Sequence, residues 1–378
     1  MLCAAGAACA GENEILYQQR LDPYPLPILV PATIDGNSYP LMLDTGATVH
    51  MFDPALRRFL GPLRQDKIVQ TVGGSVDIAF FDAPGITMGH WDLPDSKVGI
   101  LDCNAFRTHL GSNVRGMIGV SVLRQCALWL DFDHSSLKIL QNVTPPAAMA
   151  GLKLSFNSGG VPCVKWDVRG QIIELMIDTG DNSCIGLRHD TFLQLVSDGT
   201  IALDRKANAR SETANGQVTQ LSGRFTKGRL LGMNLTGVPV GDRQESNFIG
   251  VGFLLNFNVI VDLQGARLLY QQRKAMSPIQ PGVMLGIGFT FPEGRARVDR
   301  LAPAGPAARA GIREGDRIAR LGPLQQSDLN IYSIYELCLN HARESLPVEI
   351  LRPGEVRPIV TRLKLPDKIF EYPPRELR

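Results

Sequence analysis

Two aspartates stand out among the groups of this chain that could do chemistry. Asp44 opens Asp44-Thr45-Gly46, and Asp178 opens Asp178-Thr179-Gly180, 134 residues further on. Each is entered by an apolar run, Leu41-Met42-Leu43 in the first case and Leu175-Met176-Ile177 in the second. Such a run reads as a buried strand that delivers its carboxylate at the strand end, where Gly lets the backbone turn sharply. One Asp-Thr-Gly is an ordinary turn. Two, each after an apolar strand, predict one carboxylate from each half of a duplicated fold, brought face to face. Carboxyl groups that close share a proton and titrate as a pair. The ionised member can take a proton from a water held between them while the protonated member polarises a carbonyl, with no covalent intermediate and no metal.

The elements that must position these groups repeat in order. Ahead of each Asp stand an apolar strand and a turn, Ile28 to Ile34 with Asp35-Gly36, then Val161 to Val168 with Arg169-Gly170. Downstream come hairpin signals at Gly73-Gly74 and Asn215-Gly216, then Met117-Ile118-Gly119-Val120 and Phe248-Ile249-Gly250-Val251. Two apolar strands close the series, Ala127 to Phe132 and Val259 to Leu263. Shared features in one order at similar spacing make an internal repeat. The chain reads as mainly β, with short helices expected from Asp53-Pro54 and after Arg188-His189-Asp190-Thr191, the latter with Phe192, Leu193 and Leu195 as its apolar face.

Residues from about 25 to 274 resemble a single-chain aspartic peptidase of the retropepsin-like kind. The resemblance rests on the two Asp-Thr-Gly motifs, the two apolar-apolar-Gly segments and the two hairpins. It implies an acid-protease fold of two pseudo-symmetric β lobes, at 25–142 and 143–274, after an N-terminal segment 1–24 with a leading strand from Ile15. Val143 to Gly151 reads as a linker. Asp44 and Asp178 are then the catalytic pair. Thr45 and Thr179 support the loops through their hydroxyls, and Gly46 and Gly180 let backbone N–H groups approach the carboxylates. The hairpins at Gly73-Gly74 and Asn215-Gly216 close over an extended substrate. Thr48 and Asn182 stand where the family commonly has a hydroxyl or carboxylate; Asn182 is the departure, though its amide can still donate to a carboxylate. Asp181 adds a third acid, whose charge raises the pair's pKa values if buried.

From Pro278 the character changes. Pro303 to Ile312 reads as a short helix, Tyr332 to His341 as a longer one, and Arg352-Pro353-Gly354-Glu355 as a hairpin turn. Residues 275–378 are similar to a bacterial PDZ domain, an α+β unit with a tail. The resemblance implies that Leu285-Gly286-Ile287-Gly288 presents backbone N–H groups to a peptide's C-terminal carboxylate and that Phe289-Thr290-Phe291 accepts the peptide as an added strand. A glycine-rich turn in a small docking domain is the competing reading.

Composition sets limits. At 378 residues, 44% hydrophobic and 20% charged, the chain is long enough for two or three cored domains and is not a disordered tail. A formal charge of +2 gives no reason to invoke nucleic acid or an anionic membrane. No apolar run is long enough to span a bilayer. Seven scattered cysteines and six histidines show no metal-ligand spacing and no disulfide framework, so no metal and no cofactor is expected. Met1 to Ala10 resembles the end of a secretory signal, which would place the protein in the periplasm or outside the cell; a disordered Ala-rich start, compatible with the cytoplasm, is the alternative. The expectation is an aspartic-type endopeptidase acting on extended protein or peptide substrates, with a PDZ domain that takes C-terminal peptide tails. Two rivals are an inactive peptide-binding adaptor built from the same parts and a self-processing peptidase whose PDZ domain regulates its own cleft.

Overall fold

A computed structural model describes residues 13–71, 74–94, 96–204, 209–213, 216–243, 246–274, 285–302, 305–341 and 344–365. The secretory-signal reading, Cys3, Cys9, Gly73, Asn215 and the C-terminal tail lie outside these residues. The protein is mainly β.

Following β1 (Ile15–Arg20), β2 (Leu29–Ile34) and β3 (Asn37–Leu43) form a hairpin across Asp35-Gly36. Both turn residues have positive φ, 49° and 73°, as the two-residue turn that matches strand twist requires. Next are β4 (His50–Phe52), a 3-10 turn at Pro54–Phe59 capped by Asp53, and the long hairpin of β5 (Leu63–Thr71) and β6 (Gly74–Asp82). Helix α1 (Asn104–Leu110) ends on left-handed Gly111, and β7 (Gly116–Ile118) pairs parallel to β3 and antiparallel to β4. Strands β2 to β7 belong to one nine-stranded sheet with β3 near its centre. The short helix expected at Asp53-Pro54 is therefore 3-10, while α1 has no counterpart in the sequence reading.

The pattern returns in an eight-stranded sheet. After β8 (Ala127–Asp131) and β9 (Ser136–Leu140), β10 (Pro162–Val168) and β11 (Gln171–Asp178) form a hairpin across Arg169-Gly170, again with both φ positive, 56° and 85°. Then come β12 (Ile185–Arg188), α2 (His189–Ser197), the hairpin of β13 (Ala209–Thr213) and β14 (Gly216–Gln220), and β15 (Phe248–Gly250), parallel to β11 and antiparallel to β12. Within α2, Phe192 and Leu195 are buried, but Leu193 points to solvent, because residues one apart do not share a helix face.

A six-stranded sheet draws on both halves. Its order is β1, β9, β8, then β16 (Phe257–Asp262), β17 (Arg267–Gln272) and Ala150–Lys153. The expected linker at 143–151 thus ends in an edge strand, held by the Arg267 guanidinium donating to the Val143 carbonyl at 2.9 Å. Each half's closing strand is mostly apolar and pairs with the other's, Leu128 opposite Val261 and Leu130 opposite Val259. The core runs continuously from both halves through this junction.

The C-terminal body has its own hydrophobic cluster. Its sheet runs β18 (Ile287–Thr290), β19 (Arg297–Leu301), Arg317–Leu321, Ser345–Leu351 and Ile359–Lys364, with α3 (Ile331–Asn340) packed against it. Contacts in more than one place seat this body on the rest. Tyr24 and Leu26 pack on Tyr335, and the Tyr332 hydroxyl donates to the Pro27 carbonyl at 2.8 Å. Near α1, the Phe291 N–H donates to the Thr108 carbonyl at 2.6 Å.

Candidate active site

Asp44 follows β3 and Asp178 ends β11. In both cases the parallel neighbour strand fixes the exit: the Asp44 N–H donates to the Ile118 carbonyl at 3.0 Å, and Asp178 lies opposite Gly250. The glycines beyond those neighbours are obligatory. A Cβ on Gly119 would stand 2.6 Å from the Ala47 carbonyl oxygen, and one on Gly250 would stand 2.7 Å from that of Asp181. Only hydrogen lets the strand pass so close beneath each loop.

The loops lock to each other through their threonines. The Thr45 N–H donates to Thr179 Oγ1 at 3.0 Å and the Thr179 N–H to Thr45 Oγ1 at 3.1 Å. The Thr45 hydroxyl donates to the Ile177 carbonyl, and the Thr179 hydroxyl to the Leu43 carbonyl, each at 2.6 Å. Each threonine therefore holds the residue that precedes the opposite aspartate. Both side chains are fully buried, so water cannot replace these bonds.

This lock presses the carboxyl groups together. A Cβ on Gly46 would lie 2.5 Å from Asp178 Cγ, and one on Gly180 would lie 2.6 Å from Asp44 Cγ. Each aspartate also receives two amides of its own loop on Oδ1. Asp44 accepts from Gly46 at 2.8 Å and Ala47 at 3.0 Å; Asp178 accepts from Gly180 at 2.9 Å and Asp181 at 3.1 Å. Each carboxyl group stands close enough to shift the other's titration.

Burial raises the pKa of both aspartates above the usual carboxylate range. Asp178 is raised well above it, because the charges of Asp44 and then Asp181 add to its desolvation. For Asp44, two loop amides and the Asp178 carboxyl offset part of the effect. Two carboxyl groups this close share one proton and titrate as a pair. The arrangement can hold a water, accept its proton and present an acidic O–H to a carbonyl.

Other expected residues fall into place unevenly. Gly74 and Gly216 start the return strands of their hairpins. Thr48 is exposed, and its Oγ1 faces Gly159 in the other half. Neither Thr48 nor Asn182 hydrogen-bonds to either aspartate, so the Asn182 amide does not serve as the donor it could be. Leu285 is fully buried, Gly286 turns with φ of 69°, and Ile287 and Gly288 begin β18. Asp131, Asp133 and Asp262 bind His134, Arg273 and Arg267, which is structural work at the closing strands.

The sequence reading missed several second-tier groups. Asp181 Oδ1 accepts from the Ser183 N–H at 2.6 Å and from the Ser183 hydroxyl, and the buried Arg243 guanidinium lies 4.0 Å from its Oδ2. His50 is fully buried; its Nδ1 accepts from the Gly119 N–H at 3.2 Å, and burial lowers its pKa to about 4. Arg243 and His50 are far in sequence from the groups they serve, so no local pattern could have flagged them. Among the described residues no cluster of His, Cys, Asp or Glu could hold a metal ion, and no helix is long and apolar enough to cross a membrane. The five described cysteines are free thiols.

A search of curated proteins finds no match to the chain. Residues 30–122, which span β2 through β7 and include Asp44-Thr45-Gly46, match the family model described as aspartyl protease. That match, to about a quarter of the chain, supports an aspartyl protease of retropepsin-like type and a proteolytic function.

Proposed function

We propose that the chain is a single-chain aspartic endopeptidase of two lobes, 25–142 and 143–274, with Asp44 and Asp178 as its catalytic pair and a PDZ-like domain after them. The observation that carries the reading is the approach of the two carboxyl groups across the threonine lock, with Gly46 and Gly180 as the only residues small enough to allow it.

In this reading a water lies between the carboxyl groups. The ionised aspartate takes its proton as the oxygen attacks the scissile carbonyl carbon, and the protonated one gives its proton to the carbonyl oxygen, forming a gem-diol. Collapse of the gem-diol breaks the C–N bond, with a proton passing to the leaving nitrogen. The pair is regenerated without a covalent intermediate. In the same reading hairpins β5–β6 and β13–β14 cover an extended substrate, and the Leu285-Gly286-Ile287 turn with the edge of β18 holds a chain terminus.

The test is cleavage of a mixed peptide library from pH 3 to 8 by the parent protein, Asp44→Asn and Asp178→Asn. Each variant is expected to lose on the order of 10²–10⁴-fold in rate, the usual value of a general acid or base. Parent-level cleavage by either variant, or no cleavage at any pH, would instead leave a peptide-binding adaptor.

A further inference from the structure

β18 lies at the edge of its sheet. The Gly286 carbonyl accepts from the Ala302 N–H at 2.8 Å, so even-numbered residues turn their main-chain groups toward β19. The groups of Ile287, Phe289 and Phe291 then face the open edge, across from α3. A chain terminus held at the Leu285-Gly286-Ile287 turn would pair along this edge with roughly four residues, one per residue of β18, before reaching Phe291.

That position is taken. The Phe291 N–H donates to the carbonyl of Thr108 in α1. Gly111, which ends α1, sits against the Phe291 ring and Asn330, the cap of α3; a Cβ there would lie 2.7 Å from the ring and 2.9 Å from Asn330 Cα. Helix α1 comes within 8 Å, Cα to Cα, of β18, of the Pro292–Gly294 turn and of α3, so it stands beside both elements that would wall such a groove. On its other side, α1 lies alongside β13, the outgoing strand of the second hairpin. The α3 wall is held too, by Tyr332 on Pro27 and Tyr335 on Tyr24.

We propose that α1 is a built-in competitor for the far end of this groove: a bound chain of about four residues or fewer coexists with it, and a longer one displaces it and is felt at β13. The proposal rests on reading the C-terminal body as a binder of chain termini. It makes that body a fixed partner of the N-terminal halves instead of a freely swinging recruiter. By linkage, whatever tightens α1 against β13 weakens long ligands in the groove by the same factor.

The experiment uses the full chain carrying Asp178→Asn, so that ligands are not cut. Three acetylated probes are titrated calorimetrically: a tripeptide and an octapeptide, both ending in valine with a free carboxylate, and the amidated octapeptide. Amide hydrogen exchange is then followed at 104–110 and 209–213. Both free-carboxylate probes are expected to bind, and the amidated one to bind at least tenfold more weakly. The octapeptide alone should raise exchange severalfold in both segments. If neither free-carboxylate probe binds, or the amidated twin binds equally well, the groove reading falls and takes the inference with it. If the octapeptide binds while 104–110 stays as protected as in the free protein, or if the tripeptide produces the same change, the inference alone is overturned. Neither outcome bears on the catalytic pair, whose test is cleavage.

Discussion

Ala47 and Asp181 occupy the same place in the two Asp-Thr-Gly loops. Each donates its N–H to its own aspartate, and each accepts at its carbonyl from the valine after the glycine beneath it, Val120 in one case and Val251 in the other. The backbone pattern is thus kept in duplicate while the side chains differ: a methyl group in the first loop, a carboxylate bound by Ser183 in the second. A second pair behaves alike. Beneath the first loop the Gly119 N–H is accepted by the His50 ring, and beneath the second the Gly250 N–H is accepted by the Cys184 carbonyl. Main-chain hydrogen bonds hold both loops in one shape, so the side chains are free to diverge. The divergence places a third carboxylate beside the pair, and its charge raises the pKa of both aspartates.

The hairpins diverge as well. β5–β6 continues the nine-stranded sheet, whereas β13–β14 stands as a separate pair beside α1. The second hairpin is therefore the one within reach of the C-terminal body.

The largest effect should come from the feature the loops share. Thr45→Val and Thr179→Val each keep the shape but strip a hydroxyl that both donates and accepts in a fully buried site. Each should cost about 2–5 kcal/mol by denaturant unfolding, at about 1–3 kcal/mol for each buried group left unpaired. The two costs should agree; a threonine that can be replaced freely would break the equivalence of the loops.

His50 sharpens the contrast beneath the loops. Its folded pKa, about 4, lies below the ordinary 6.5, so the unfolded chain binds this proton more readily. Its contribution to stability is intact above pH 6.5, declines as pH falls toward 4 and stays lost below. The full swing is about 3 kcal/mol from a shift of that size. His50→Asn retains an acceptor for the Gly119 N–H but does not titrate. Comparing unfolding of the two proteins between pH 7 and 4 should show the parent losing more stability; parallel curves would count against the assignment.

Asp181→Asn tests the asymmetry itself. Removing that charge lowers the pKa of both aspartates, so both limbs of the pH–rate profile should move to lower pH. Ala47→Asp should move them the other way. A profile unmoved by either change would mean that the third acid is screened, as an ion paired to Arg243 would be. The smallest effects are expected from Thr48→Ala and Asn182→Ala. Neither side chain reaches a carboxylate by hydrogen bond, so rates should change less than about threefold, as for a contact worth about half a kcal/mol.

Much of the site was legible because it is written in local code. Apolar runs before Asp44 and Asp178, glycines at fixed offsets and two-residue turns with glycine second are short-range patterns, and each is imposed by a backbone constraint within a few residues. What stayed hidden has no such signature. Helix α1 is seven residues long with only Leu110 buried, too short to show an apolar period. Leu193 looked like core because it adjoins Phe192, yet helical rotation turns it outward. Thr48 and Asn182 looked like carboxylate partners from their offset alone, but an offset does not say which way a side chain faces.

The sequence by itself determined the repeat, the strand-to-loop delivery of two acids and the strands that carry them, because each depends on steric limits felt along a short stretch of chain. The tertiary structure alone decided how far burial raises the two acids, which histidine lies beneath which glycine and that the C-terminal body docks against α1. Those outcomes depend on desolvation and on contacts between groups brought together only by folding, where a buried charge or amide answers to whatever surrounds it rather than to its neighbours in the chain.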